Sequence, residues 1–148
     1  MTSPNASLPA SPGISVILPV LNEEAHLEDS IRAILSQNYL GKFEVILALG
    51  PSRDSTNEIA RSLAAQDSRV ILVENPSGRT AAGLNLALKA STQDVVVRVD
   101  AHSEIPYNYL QLVVEILKES GAVNVGGVMG AEGVTFFETA VAAAMCVA

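Results

Sequence analysis

From Ile14 onward, apolar runs of strand length alternate with segments whose apolar residues recur at helical spacing. Ile14-Ser15-Val16-Ile17-Leu18 reads as a strand ended by Pro19. Asn22 is placed to cap the following helix, with Glu23 and Glu24 in a first turn where the dipole favours acidic side chains. Leu27, Ile31, Ile34 and Leu35 share one face of that helix. Phe43 to Leu49 is a second strand, and Ser55-Thr56-Asn57-Glu58 has capping-box spacing ahead of a helix that turns Ile59 and Leu63 inward. Val70 to Val73 is a short third strand, Asn75-Pro76-Ser77-Gly78 a loop by composition, and Ala81, Leu84 and Leu88 mark a third helix. Asp94 to Val99 is β-branched almost throughout, the pattern of a strand buried on both faces. Tyr107 to Ser120 then reads as a helix with Leu110, Val113, Val114 and Leu117 on one face and Gly121 as its C-cap, and Ala122 to Met129 as a fifth strand. The alternation predicts an α/β domain with a mostly parallel sheet flanked by helices.

The 148 residues, 49% of them hydrophobic, suffice for one domain with a full core, assigned to residues 14–148 behind a Pro- and Ser-rich tail at 1–13 that reads as disordered. A net charge of -7, with the nine Lys and Arg scattered, excludes a basic nucleic-acid-binding face. The single Cys146 cannot form an internal disulfide, so a cytoplasmic setting is expected. The uncharged stretch Thr139 to Ala148 is shorter than the roughly 20 residues of a membrane span and ends without a helix stop signal, as if the chain continued in a larger protein.

In parallel sheets, ligands bind beyond the carboxyl ends of the strands, so residues just after each strand carry the chemistry. Pro19 to Glu23, Gly50 to Asp54, Asn75 to Arg79 and Asp100 to Ser103 are such segments, all polar, and all expected on one rim. Asp100 and His102, one residue apart at a strand end, can reach the same divalent cation. Plainer readings exist: Asp100 can cap the next turn, His102 can be a hydrogen-bonded loop residue, Arg79 a surface cation, and Glu23 a first-turn helix acid. The first strand does not run into G-x-G-x-x-G, and there is no Walker lysine motif.

Taken in order, Pro19-x-x-Asn22-Glu23-Glu24, Gly50-Pro51-Ser52-Arg53-Asp54, Asn75-x-x-Gly78, Ala82-Gly83-Leu84-Asn85 and Asp100-x-His102 resemble the nucleotide-binding half of inverting family 2 glycosyltransferases of GT-A fold, especially bacterial succinoglycan and exopolysaccharide enzymes. The resemblance covers Ile14 to about Ala140. It implies transfer of a sugar from a nucleotide-diphosphate sugar, with UDP the expected nucleotide, to a glycan or lipid-linked acceptor at the inner face of a membrane. Pro19, Val20, Leu21, Asn22 and Glu23 would line the nucleoside pocket, with Gly50 near the base, Arg79 near the diphosphate, and Asp100 and His102 at the D-x-D position with Mn²⁺ or Mg²⁺. Two residues depart from the family pattern: Leu49-Gly50 stands where an aspartate pair is common, and His102 replaces the second aspartate, which favours Mn²⁺ over Mg²⁺.

The family's catalytic base is an acidic residue on a later segment. Only Glu132 and Glu138 follow the expected fifth strand, neither in a matching motif, so the base is unassigned and the chain is expected to be a donor-binding half. A non-catalytic nucleotide-sugar-binding module remains open beside the enzyme. A nucleotidyltransferase is disfavoured because no Gly-rich, Arg-bearing loop follows the first strand. The apolar segment Val134 to Ala148 is expected to pair two copies into a homodimer.

Overall fold

The computed structural model describes residues 8–126. Its elements run β1 (Ile14–Val20), α1 (Leu27–Leu35), β2 (Phe43–Leu49), α2 (Thr56–Gln66), β3 (Val70–Glu74), α3 (Thr80–Ala90), β4 (Val95–Arg98) and α4 (Tyr109–Ser120). The near-continuous apolar runs of β1 and β2 have one stable place in a parallel sheet, the middle, where both faces are covered. The observed order is β3-β2-β1-β4, with every pairing parallel. Ile14 pairs with Phe43 and Val95, and Val45 with Val70, so all four strands point their carboxyl ends the same way.

One face carries most of the core. Val16, Leu18, Val45, Leu47, Val95 and Val97 pack beneath Leu27, Ile31 and Ile34 of α1, Ala60 and Leu63 of α2, and Leu110, Val114 and Leu117 of α4. Each fully buried Leu or Ile contributes about 1.5–3 kcal/mol of transfer free energy. The opposite face is smaller: Ile17, Ile46 and Ala48 meet Ala87 and Leu84 of α3. There Gly83 is required by proximity, because a Cβ on it would lie 2.8 Å from Asn75 Nδ2 and 3.3 Å from Ala48 Cβ.

The α/β class with a parallel sheet holds, and several details of the sequence reading need correction. Pro19 does not end β1; it lies within the strand, opposite Ala48. The Ile17 carbonyl accepts from Val99 on the β4 side and the Val20 carbonyl from Gly50 on the β2 side, so alternation turns the Pro19 nitrogen toward the β4 side, where pairing has already stopped. Its missing N–H therefore costs no ladder bond. β4 is not buried on both faces: Val95 and Val97 are buried while Val96 and Arg98 are exposed, the alternation of a strand covered on one side, and among the described residues it is the last strand of the sheet. Leu88 is exposed on α3, whose buried positions are the small Gly83 and Ala87. No strand forms over 122–126. The rest of the expected fifth strand, Val134 to Ala148 with its expected dimer contact, Cys146, and residues 1–7 of the expected tail lie outside the described residues. Within the remainder of that tail, the Ala10 carbonyl accepts from Lys118 Nζ, the Pro12 carbonyl from Tyr39 Oη and the Gly13 carbonyl from Val95 N–H. No described helix is long and apolar enough to cross a membrane.

Candidate functional site

Because the strands are parallel and in register, their carboxyl ends place the four polar loops on one rim. The loop after β1 is fastened to the loop after β2. Asn22 N–H donates to Ser52 Oγ (3.0 Å), Arg53 N–H to Asn22 Oδ1 (2.8 Å), Glu23 N–H to Thr56 Oγ1 (2.7 Å) and Ser55 N–H to Glu24 Oε2 (2.9 Å). Asn22 is therefore not the N-cap of α1. It adopts a left-handed backbone (φ 55°), which asparagine tolerates, and its side chain bridges the two loops. The helix starts at Leu27 after a turn closed on the Glu23 carbonyl, and the exposed His26 takes the cap position. The capping box at Ser55 is likewise unformed: Ser55 makes no side-chain cap, and Asp54 Oδ1 accepts instead from the Thr56 N–H (3.0 Å) and hydroxyl.

These bonds hold the Asp54 carboxyl below the usual carboxylate range, chiefly through the Thr56 hydroxyl, with the N–H groups of Thr56 and Glu24 adding to it. A folded pKa lowered relative to the unfolded chain stabilises the fold above about pH 4, and that stabilisation is lost as pH falls through the lower folded value. Asp54→Asn should therefore flatten the acid limb of a melting-temperature profile between about pH 2.5 and 6 relative to the unsubstituted protein. Parallel acid limbs for the two proteins would refute the assignment.

The loop after β3 closes on the same corner. Gly50 N–H donates to the Val20 carbonyl (2.8 Å), and a Cβ on Gly50 would lie 2.9 Å from Leu21 Cδ1 and 3.3 Å from Gly78 Cα. Gly78 has φ +63°, so glycine suits it. Asn75, 2% exposed, anchors this turn: its Nδ2 donates to the Arg79 carbonyl (3.1 Å) and its Oδ1 accepts from Ser77 Oγ (2.8 Å). Arg79 then opens α3 as its N-cap residue, exposed, and among the described residues its guanidinium has no carboxylate partner.

The loop after β4 is held from below by α1. Ser30 Oγ donates to the Ala101 carbonyl (2.7 Å), and Gln37 Nε2 donates to the Pro106 carbonyl (2.8 Å) while its Oε1 accepts the Leu110 N–H (3.1 Å) in the first turn of α4. With Ala101 buried as an anchor, its neighbours Asp100 and His102 stand toward solvent. His102 Nδ1 lies 3.2 Å from Glu23 Oε1, which joins the loop after β4 to the loop after β1. Asp100 pairs with Arg98.

The sequence-derived residues thus form two neighbouring groups. Leu21, Gly50 and the turn leading to Arg79 form one; Glu23, His102, Asp100 and Arg98 form the other. No hydrogen bond or ion pair among the described residues joins Arg79 to Asp100. Ser30 and Gln37 belong to none of the motifs read from the sequence, and Ser52 and Thr56 stand in such motifs without a role of their own there. Ser30 left a signal, a small polar residue on the apolar face between Leu27 and Ile34, whereas Gln37 lies past the end of α1 and left none.

No group of three or more His, Cys, Asp and Glu side chains forms a cage among the described residues. Asp100 and His102 supply one carboxylate and one imidazole, an open-sided pair. Such a pair fits a cation whose remaining positions are filled by phosphate oxygens and water, the usual arrangement for nucleotide-bound Mg²⁺ and related ions.

Comparison with known proteins agrees with this geometry. The chain is 34% identical over 129 residues to the succinoglycan biosynthesis protein ExoA of Rhizobium meliloti, covering 86% of this chain and 39% of that relative's length. Among solved structures of GT-A glycosyltransferases, it resembles the mannosyltransferase PcManGT from Pyrobaculum calidifontis, in complex with GDP-Man and Mn²⁺, at 30% identity and TM-score 0.63, covering 78% of this chain and 34% of that one. It also resembles the Mycobacterium tuberculosis glucosyl-3-phosphoglycerate synthase, in complex with Mn²⁺, UDP-Glc and phosphoglyceric acid, at 25% identity and TM-score 0.53, covering 73% and 40%. Sequence matching to the family described as Glycosyl transferase family 2 extends over residues 15–143, nearly the whole chain. With a parallel sheet whose four carboxyl-end loops meet at one rim, the chain belongs to glycosyl transferase family 2.

Proposed function

We propose that this chain binds the nucleotide-sugar donor of a glycosyltransferase that moves a sugar, with inversion, to a glycan or lipid-linked acceptor in polysaccharide synthesis. The observation that carries the proposal is the meeting of the loops after β1 and β4, where Glu23 and His102 lie 3.2 Å apart and Asp100 stands two residues before His102. In this reading Pro19 to Glu23 and Gly50 bound the nucleoside, and the Arg79 guanidinium, which has no carboxylate partner among the described residues, meets the diphosphate, for which a forked donor is suited. Asp100 and His102 would hold Mn²⁺ or Mg²⁺, which supplies charge neutralisation for the departing diphosphate. The GDP-Man and UDP-Glc complexes of the related structures, both with Mn²⁺, support a nucleoside diphosphate and a divalent cation at such a rim. No catalytic base is assigned.

Calorimetric titration of residues 1–148 with UDP and with GDP, each in Mn²⁺ and in EDTA, tests the reading. The expected result is binding of UDP in preference to GDP, at least about tenfold tighter with Mn²⁺ than in chelator, the scale of the loss when metal affinity is disturbed. Equal affinity in Mn²⁺ and EDTA would remove the metal from the site, and no binding of either nucleotide would refute the donor-site reading.

A further inference from the structure

We propose that Arg98 is an internal counter-cation for Asp100, with which a divalent cation competes and which the donor diphosphate then receives, so that Arg98 couples the binding of the two. The inference rests on the reading of Asp100 as a cation ligand. Arg98 is the last residue of β4, Asp100 follows two residues later, and the intervening Val99 is buried. Residues on either side of an inward-pointing position project the same way, which lets this pair meet. Arg98 Nη2 and Nε donate to the same oxygen, Asp100 Oδ1, at 3.0 and 3.1 Å, and Nη2 lies 3.4 Å from Oδ2.

With Nε and Nη2 on Oδ1 and Nη2 also near Oδ2, a cation that takes Asp100 as a ligand competes with the guanidinium for the carboxylate, and the two cations repel each other besides. The side chains of Arg98 and Asp100 are 53% and 41% exposed, so solvent screens the pair to about 0.2–1 kcal/mol. That is small enough for a divalent ion to overcome and large enough to weaken its binding. A diphosphate changes the balance, because a freed guanidinium pairs well with phosphate oxygens. By linkage, the nucleotide then raises the affinity for the cation and the cation raises that for the nucleotide by the same factor.

The test is titration of Mn²⁺, read directly by electron paramagnetic resonance of the free ion, on the unsubstituted chain, R98Q and R98K. Each is measured alone and with whichever of UDP or GDP binds more tightly. R98Q should bind Mn²⁺ alone about twofold to fivefold more tightly, the fold-change that corresponds to an exposed pair. The gain in Mn²⁺ affinity brought by the nucleotide should shrink in R98Q, whereas R98K, which keeps the charge, should stay near the unsubstituted chain. Unchanged or weaker Mn²⁺ binding by R98Q, or an undiminished gain from the nucleotide, overturns the proposal while leaving the donor site intact. Failure of the unsubstituted chain and R98Q alike to bind Mn²⁺, with nucleotide or without, overturns the metal reading and this inference together.

Discussion

Asp100→Ala is expected to abolish the Mn²⁺-dependent part of nucleotide binding, lowering affinity in Mn²⁺ to that in EDTA, a loss of at least about tenfold. Losing a residue that merely orients a metal ligand typically costs 10- to 100-fold, and Asp100 is read as a ligand itself, the one carboxylate in an open-sided pair. His102→Ala should cost less, because an imidazole is the replaceable member when phosphate oxygens and water fill most of the coordination sphere. The fold should survive both changes, since Asp100 is partly exposed, His102 is exposed, and the loop between them is held through the Ala101 carbonyl by Ser30. Calorimetry in Mn²⁺ and EDTA, with circular dichroism as the control for folding, reads the result. Asp100→Ala retaining the full difference between Mn²⁺ and EDTA would show that the carboxylate serves only Arg98.

Gln37→Ala should destabilise the fold by about 1–3 kcal/mol. The side chain is 8% exposed and accepts the N–H of the buried Leu110, while its Nε2 adds a second donor to the Pro106 carbonyl, which also accepts from the Tyr109 N–H. Each buried polar group left without a partner costs about 1–3 kcal/mol. Leu110 N–H is one of the amide donors that a helix start leaves without an intrahelical acceptor, so Gln37 acts as a cap for α4 supplied from just past the end of α1, across 73 residues of sequence. Gln37→Glu should recover part of the loss, since it can still accept from Leu110 but no longer donates to Pro106. Urea denaturation of the three proteins measures the effect. A Gln37→Ala midpoint indistinguishable from that of the unsubstituted chain would sink the assignment. A weaker nucleotide affinity should accompany the lost stability, because the same bonds hold the segment that follows His102.

The difference between these two residues marks how far the sequence could be read. Asp100 was legible because it combines a strand end with a chemically distinctive partner two residues away, both local signals. Gln37 has no local signal at all; its role exists only because α4 starts against the end of α1. The same contrast runs through the helix starts. Asn22 and the Ser55 capping box have the right residue types and spacing for caps, yet the Asn22 side chain accepts from Arg53 on the neighbouring loop, and at the start of α2 it is Asp54 that accepts from Thr56.

By itself, the sequence determined the order of strands and helices, the parallel sheet and the rim where the polar loops gather, because apolar periodicity and burial on both faces follow from local spacing and admit few arrangements. Only the tertiary structure decided the pairing of Asp100 with Arg98, the approach of His102 to Glu23, the one-sided burial of β4 and the stitching of Asn22 to Ser52 and Arg53. Each of these depends on which groups come within about 3 Å once the chain has folded, and a hydrogen bond or ion pair is selected at that range by geometry among several chemically equivalent partners.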